Sequence, residues 1–183
     1  MPAPVPDQPV IVLLTGVMAS GKSTVGQALA ERLPRSVHLR GDVFRRMIVN
    51  GREEYGPEPT EEAVRQVELR YRLASRTADA YFTAGFSVVL QDVVLGPELP
   101  AQVARIVGRP LLVVVLAPEP AVVARREAGR AKNGYGEWTP AQLDAGMRAT
   151  TPRLGLWLDN SHQTPAETVD EILTRAWTEA AVP

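Results

Sequence analysis

The sequence predicts a three-layer α/β fold, in which helices cover both faces of a five-stranded parallel sheet. Apolar runs typical of buried parallel strands alternate with helical patterns along the whole chain. The first run bends through glycines directly into a helix, and two later helices open with the same Thr-Pro signal. The length of 183 residues suits one domain, which we expect to span residues 10–183 after a flexible, proline-rich lead at residues 1–9.

Five segments are predicted to form the sheet. Residues 10–15 are a nearly continuous apolar run, as expected for a strand buried on both faces, and residues 87–93 and 110–117 are predicted to form the third and fourth strands. Residues 36–40 and 155–160 are shorter candidates for the second and fifth strands. Because ligands bind at the carboxyl ends of strands in such sheets, the residues that follow each run are the first candidates for a functional site.

Helical patterns fill the segments between these strands. The first predicted helix begins near Lys22 and stops before Pro34, and the longest covers residues 60–84. The core face of this long helix is predicted to be formed by Val64, Val67, Tyr71, Ala74, Ala78 and Phe82. The remaining helices are predicted near residues 98–107 and 121–129, and after two capping boxes, Thr139-Pro-Ala-Gln142 and Thr164-Pro-Ala-Glu167.

The bend between the first strand and the first helix is the most specific feature of the sequence. It reads Gly16-x-x-x-x-Gly21-Lys22-Ser23, which matches the phosphate-binding loop (P-loop) pattern without a mismatch. Glycines allow positive φ angles, so backbone N–H groups and the start of the helix can converge on phosphate groups. Lys22 is expected to reach the β- and γ-phosphates, and the Ser23 hydroxyl to bind Mg²⁺. The predicted nucleotide-binding residues of this segment are Gly16, Ala19, Ser20, Gly21, Lys22, Ser23 and Thr24.

Two carboxylates follow predicted strands and should therefore face the ligand crevice. Asp42 comes just after the second strand, where it is a candidate substrate residue; its alternative role is the N-cap of a short helix. Asp92 closes the third apolar run, a pattern that holds Mg²⁺ in many P-loop proteins. Contact with the substrate and a simple loop position are the alternatives for Asp92.

An arginine-rich segment at residues 122–138 is predicted to form a lid. Arg126 and Arg130 lead into a glycine-containing loop. Arginines at the base of a mobile loop can close over a triphosphate and stabilise the charge on its oxygens. The alternative is an ordinary basic helix end that interacts with its own dipole.

Composition excludes several functional classes. A net charge of −1 argues against a general nucleic-acid-binding surface. The absence of cysteine excludes disulfides, thiolate catalysis and zinc–thiolate sites. The N-terminal residues carry no basic signal-peptide region, and no apolar run approaches the roughly 20 residues of a membrane helix. We therefore expect a soluble, cytoplasmic protein without membrane contacts.

Taken in order, these motifs resemble those of small P-loop kinases. The resemblance is closest to the chloramphenicol phosphotransferase-like family and extends to gluconate, shikimate and adenylylsulfate kinases, over about residues 10–175. It implies a P-loop kinase fold with an Arg-rich lid at about residues 125–140, and ATP and Mg²⁺ as cofactors. It also implies that residues 160–165 border the adenine. The catalytic residues that it implies are Asp42 as the base that activates the acceptor hydroxyl, with Lys22, Arg126 and Arg130 binding the phosphates.

The acceptor itself is left open by the sequence. The resemblance implies a small molecule with a hydroxyl group, such as an antibiotic, a sugar or another metabolite, contacted by Asp42, Arg45 and Asp92. Residues 51–66 do not match the substrate region of the chloramphenicol enzymes. The segment "GDVFR" also satisfies the Asp-x-x-Arg pattern of polynucleotide kinases, so a polynucleotide or nucleoside 5′-hydroxyl is one alternative. A nucleotide-dependent switch or regulatory ATPase is the other, although the sequence has no Asn-Lys-x-Asp guanine motif.

Overall fold

A parallel sheet forms the centre of the computed structural model, which describes residues 8–129 and 138–183. Its strands are β1 (Ile11–Gly16), β2 (Ser36–Arg40), β3 (Ser87–Gln91), β4 (Leu111–Leu116) and β5 (Leu156–Leu158), which lie side by side in the order β2-β3-β1-β4-β5. All four pairings between them are parallel, as predicted. A short strand that the sequence does not predict, β6 (Ala181–Val182), pairs antiparallel with the start of β4.

Seven helices connect and cover these strands within the described ranges. They are α1 (Lys22–Arg32), α2 (Asp42–Arg46), α3 (Glu61–Thr83), α4 (Glu98–Arg105), α5 (Pro120–Ala128), α6 (Pro140–Thr150) and α7 (Pro165–Glu179). Both predicted capping boxes form: the Thr139 and Thr164 side chains each accept a hydrogen bond from the backbone N–H three residues on, and the Gln or Glu there bonds back. No helix of the described part is both long and apolar enough to cross a membrane.

The two faces of the sheet bury separate hydrophobic cores. Along β1, Val12 and Leu14 pack in the core that contains α1 and α7, while Ile11 and Leu13 pack in the core that contains α3. These four side chains are at most 3% exposed. Burying each one stabilises the fold by about 1.5–3 kcal/mol. The continuous apolar run of a central parallel strand therefore follows from burial on both sides.

One part of the predicted core face of α3 is wrong. Val64 is 38% exposed, and its neighbour Ala63 takes the buried position at 1%. The first turn of α3 is held against the preceding loop, because the Gln66 side chain accepts from Glu53 N–H and donates to the Gly51 carbonyl. The predicted face is correct from the next turn onward, where Tyr71, Ala74 and Ala78 are buried.

The parallel arrangement brings the predicted site segments to one edge of the sheet. The P-loop follows β1, Asp42 follows β2 and Asp92 follows β3, and these three strands are neighbours in the order β2-β3-β1. Residues 1–7 of the predicted N-terminal lead lie outside the described residues, so the proposed division into a lead and a single domain stays a prediction.

Candidate active site

The P-loop has the backbone conformation that its glycines predict. Gly16 has φ +143° and Gly21 has φ +100°, both in the region that side chains with a Cβ disfavour. A Cβ on Gly16 would lie 2.4 Å from the Leu116 carbonyl oxygen of the neighbouring strand. Ala19 also takes a left-handed conformation, with φ +60°, which the sequence does not predict. This tight loop leads directly into α1.

Lys22 is the first residue of α1, and its side chain folds back over the P-loop. The residue is 6% exposed, and Nζ donates to the carbonyl oxygens of Gly16 (2.9 Å) and Val17 (2.6 Å). Gly21 is the N-cap of α1 and supplies no side-chain hydrogen bond to the N–H groups of the first turn, which point toward the loop as at any helix N-terminus. An ammonium group and a helix N-terminus therefore meet at the loop, and both favour an anion.

Ser23 lies on the exposed side of the same turn. Its hydroxyl oxygen accepts a hydrogen bond from the Gln91 side-chain amide (3.0 Å), which extends from the last residue of β3. The residue of β3 that contacts this hydroxyl is thus Gln91, whereas Asp92, the other predicted Mg²⁺ ligand, pairs with Arg70. A hydroxyl oxygen of this kind is a suitable ligand for Mg²⁺. Thr24 is exposed next to it.

Asp92 faces the other side of the sheet, where it pairs with Arg70, a residue that no sequence motif identifies. Asp92 Oδ2 lies 3.2 Å from Arg70 Nε, and Asp92 Oδ1 accepts from the Val93 N–H (2.8 Å). Burial raises the pKa of Asp92 above its ordinary value, and the Arg70 guanidinium opposes part of this effect. Arg70 directly precedes Tyr71 of the buried face of α3, and this position at the edge of an apolar stripe is the signal that could have identified it.

Asp42 lies beside this buried pair. A Cβ on the preceding Gly41 would lie 2.0 Å from Asp92 Oδ2, so the Gly41 backbone packs directly against that carboxylate. Asp42 is the first residue of α2, whose N-cap is Gly41, and no side chain caps this helix. The alternative role of Asp42 as an N-cap is therefore wrong. Its carboxylate instead forms ion pairs with Arg46 and, at 3.8 Å, with Arg40.

Arg126 of α5 contacts the P-loop at Ser20. Its guanidinium donates to the carbonyl oxygens of Ser20 (3.3 Å) and Asn160 (3.0 Å). Asn160, which is 2% exposed, also donates from its side chain to the Ser20 carbonyl (3.0 Å). Residues 126 and 160 thus fix the same end of the loop. Arg130 and most of the predicted lid loop lie outside the described residues.

Comparison with known families assigns the chain to one of them. The AAA domain family model matches residues 11–152. The chain belongs to the AAA domain family. No functionally curated protein matches the sequence closely enough to count as a relative.

Solved structures similar to this AAA-domain protein include several kinases. An unliganded sugar kinase from Janibacter sp. HTCC2649 has 21% sequence identity and a TM-score of 0.64, over 91% of this chain and 93% of the other. A gluconokinase from Sinorhizobium meliloti 1021 has 24% identity and a TM-score of 0.59, over 90% of each chain. The APS kinase of Mycobacterium tuberculosis, in complex with AMPPNP and APS, has 19% identity and a TM-score of 0.66, over 92% and 97%. These similarities confirm the predicted P-loop kinase fold.

Within this AAA-domain protein, the predicted site residues fall into three groups. Lys22 and Ser23 lie at the P-loop, and Arg126 bonds to its far end. Asp42 and Asp92 follow the adjacent strands β2 and β3, and the Gly41 backbone packs against the Asp92 carboxylate. Arg45 forms an ion pair with Glu54 of the loop that precedes α3.

Proposed function

We propose that the protein is an ATP-dependent phosphotransferase that transfers the γ-phosphate to a hydroxyl group of a small molecule. The observation that carries this proposal is a P-loop with a buried lysine that shares one edge of the sheet with the carboxylates of Asp42 and Asp92. The first feature fits a nucleotide phosphate, and the second fits the hydroxyl that accepts it. The similarity in fold to a sugar kinase, a gluconokinase and an APS kinase supports the same reaction class.

In this proposal the phosphates of ATP occupy the P-loop, and residues 16–24 and Arg126 bind the nucleotide. Lys22 and the N–H groups at the start of α1 neutralise phosphate charge. Arg126 uses part of its guanidinium on backbone carbonyls, and its further N–H donors are available for the nucleotide. Arg130 is proposed as a second phosphate ligand from the lid.

Ser23 is the residue that best fits Mg²⁺. Its hydroxyl is exposed and belongs to the turn that binds phosphate. When bound, Mg²⁺ would neutralise charge on the β- and γ-phosphate oxygens. Asp92 stays a second candidate ligand, but its ion pair with Arg70 favours the acceptor side instead.

Asp42 is proposed as the base for the acceptor. The acceptor oxygen forms a bond to the γ-phosphorus, the bond between that phosphorus and the bridging oxygen breaks, and ADP leaves with the electron pair. The proton of the acceptor hydroxyl passes to the Asp42 carboxylate, a contribution of about 10²–10⁴-fold. Arg40 and Arg46 keep a positive environment around this carboxylate.

The acceptor class rests on the resemblance to the chloramphenicol phosphotransferase-like family, with an antibiotic, a sugar or another hydroxyl metabolite as the substrate. A polynucleotide 5′-hydroxyl is the alternative acceptor, and Arg45, which would hold its phosphate, forms an ion pair with the exposed Glu54. Substrate-independent ATP hydrolysis would instead indicate a nucleotide-dependent switch.

The first experiment tests nucleotide binding with purified protein. Millimolar Mg·ATP should raise the melting temperature of the wild type, since ligand at 100 times its Kd stabilises by about 2.7 kcal/mol. Lys22→Ala should lose this shift because it removes the ammonium at the loop, whereas the exposed Arg125→Ala should keep it. A wild type without any shift contradicts the proposal.

The second experiment tests phosphate transfer. ADP release and phosphorylated product are measured against a panel of hydroxyl-bearing antibiotics, sugars and nucleosides. The expected result is ADP release that depends on one acceptor class, with one phosphorylated product per ADP. Hydrolysis at the same rate with every compound would support the switch alternative.

A further inference from the structure

The Ser23 hydroxyl is held by a chain of hydrogen bonds that the proposed function does not use. Gln91 Nε2 donates to Ser23 Oγ (3.0 Å), and Gln91 Oε1 lies 2.9 Å from His38 Nε2. On its other side, His38 Nδ1 lies 3.0 Å from Gln27 Oε1. Gln91 is only 7% exposed, so water cannot readily replace these partners. The chain joins β2, β3 and α1 behind the P-loop.

The structure places the Gln91 amide with Nε2 toward Ser23 and Oε1 toward His38, and the direction of these two hydrogen bonds follows from that placement. Gln91 Oε1 can only accept, so His38 Nε2 carries a proton and donates it. This bond orients the Gln91 amide so that its NH₂ group, and not its oxygen, faces Ser23. The Ser23 oxygen therefore accepts on its inner side and keeps one lone pair and its own proton for the exposed side.

His38 keeps this orientation in its neutral form. Burial lowers the pKa of His38; of the charged side chains that face it, Arg40 also lowers this pKa and Asp42 raises it. In the neutral tautomer that carries its single proton on Nε2, the ring still donates to Gln91 Oε1. The contact with Gln91 thus does not require a charged histidine.

Close packing around the ring shows that this position is built into the fold. A Cβ on Gly26 of α1 would lie 2.8 Å from His38 Nε2, so a larger residue there would push the ring away. The absence of a side chain at position 26 allows β2 to bring the imidazole next to α1 and to the end of β3. Gly26 is itself buried.

We propose that Gln91 and His38 are positioning residues that orient the Ser23 hydroxyl toward the Mg²⁺-bound nucleotide. This inference rests on the proposed function, because it needs a nucleotide and a cation at the P-loop. Gln91 acts on Ser23 directly, and His38 acts through Gln91. Neither side chain is proposed to touch the substrate.

The test compares nucleotide affinity with and without the cation. The affinity of the non-hydrolysable analogue AMPPNP is measured by calorimetry in Mg²⁺ and in EDTA, for the wild type, Gln91→Leu, His38→Leu and His38→Gln. Gln91→Leu should lose about tenfold of the Mg²⁺-dependent affinity, as partners of metal ligands typically do, and keep its affinity in EDTA. His38→Leu should show a smaller loss of the same kind, and His38→Gln should recover, since its amide can donate to Gln91.

Gln102→Leu is the matched control. Gln102 is a buried glutamine, 1% exposed, that bonds to Tyr71 and Ser75 away from the P-loop. Gln102→Leu should leave the ratio of the AMPPNP affinities in Mg²⁺ and in EDTA unchanged, even if it lowers the stability of the protein. If Gln91→Leu does not fold, Gln91→Glu replaces it. Its carboxylate accepts from both His38 and Ser23, so the affinity for AMPPNP in Mg²⁺ should rise relative to that in EDTA. An unchanged ratio of these two affinities contradicts the proposal.

The outcomes separate this inference from the proposed function. If the wild type binds AMPPNP but Gln91→Leu and His38→Leu keep the full Mg²⁺ dependence, the positioning role is overturned and the proposed function stands. Equal weakening in Mg²⁺ and in EDTA would show a structural role only and would also overturn it. If the wild type binds no nucleotide at all, the proposed function fails first.

Discussion

The ion pair between Arg70 and Asp92 provides a test of the candidate site that needs no substrate. The Arg70 side chain is 14% exposed and the Asp92 side chain 4%, so both charges are largely removed from water. Arg70→Met preserves most of the side-chain volume but removes the guanidinium. The Asp92 carboxylate then keeps the hydrogen bond from the Val93 N–H while losing its cation.

The expected loss of stability follows from this burial. Removing one partner of a buried ion pair costs about 3–5 kcal/mol, because the other charge is left uncompensated. In a chain of this length, 3 kcal/mol corresponds to a decrease of roughly 6–12 °C in melting temperature. Adding Asp92→Asn to Arg70→Met should restore most of this loss, since the double variant has no buried charge at the pair.

The pH dependence of the loss has a definite sign. Burial raises the pKa of Asp92, and without Arg70 that pKa should rise further. The folded protein then binds the Asp92 proton more tightly than the unfolded chain, whose aspartates titrate near pH ~3.9. The defect of Arg70→Met should therefore be smallest below that pH and grow as the pH rises through the folded pKa.

Urea unfolding at pH 5 and pH 8 measures both quantities. Arg72→Met is the matched control, because Arg72 is exposed on the same helix and its loss should change the free energy of unfolding by no more than about 0.5 kcal/mol. The reasoning is refuted if Arg70→Met is no less stable than Arg72→Met at pH 8. It is equally refuted if Asp92→Asn fails to restore stability in the double variant.

Two further predictions concern the proposed reaction. Asp42→Asn should retain the Mg·ATP shift but lose phosphate transfer by about 10²-fold or more, because an amide cannot take the acceptor proton; full turnover in a coupled assay would rule out Asp42 as the base. The Asp42–Arg46 ion pair is largely exposed, so its loss in Asp42→Asn should lower the free energy of unfolding by only about 0.2–1 kcal/mol. Arg126→Ala should weaken ATP binding and lower kcat, because it removes a cation and the hydrogen bonds to Ser20 and Asn160. If its effects are as small as those of Arg125→Ala, Arg126 has no role in phosphate binding and is an ordinary basic residue at a helix end.

Most of the fold could be predicted because its determinants are local. Each central strand coincides within about two residues with an apolar segment of the sequence. The two Thr-Pro capping boxes mark the first residues of α6 and α7. β6 could not be predicted, because two residues carry no periodicity and its pairing depends on where the last helix returns to β4. Val64 was misplaced because Ala63 and Val64 both fit the apolar spacing to Val67, and only tertiary packing decides that Ala63 is the buried one.

The candidate site was predictable only where a motif carries it. The P-loop pattern specifies spacing, so Lys22 and Ser23 were identified from sequence alone. Arg70 and His38 belong to the site through contacts with the end of β3, which is 53 residues from His38 in sequence. Such contacts depend on strand register and helix packing, and one sequence does not contain them.

The end of β3 separates the two halves of the proposed reaction. Consecutive residues of a strand point to opposite faces of the sheet, and Gln91 and Asp92 continue this alternation at its edge. Gln91 faces α1 and holds Ser23, on the side of the nucleotide, whereas Asp92 faces α3 and pairs with Arg70, on the side proposed for the acceptor. A shift of one residue in the pairing of β3 would exchange these two side chains and place a carboxylate beside Ser23. The register that pairs Gln91 with Leu14 and with Arg40 therefore decides which of the two side chains serves the nucleotide and which serves the acceptor.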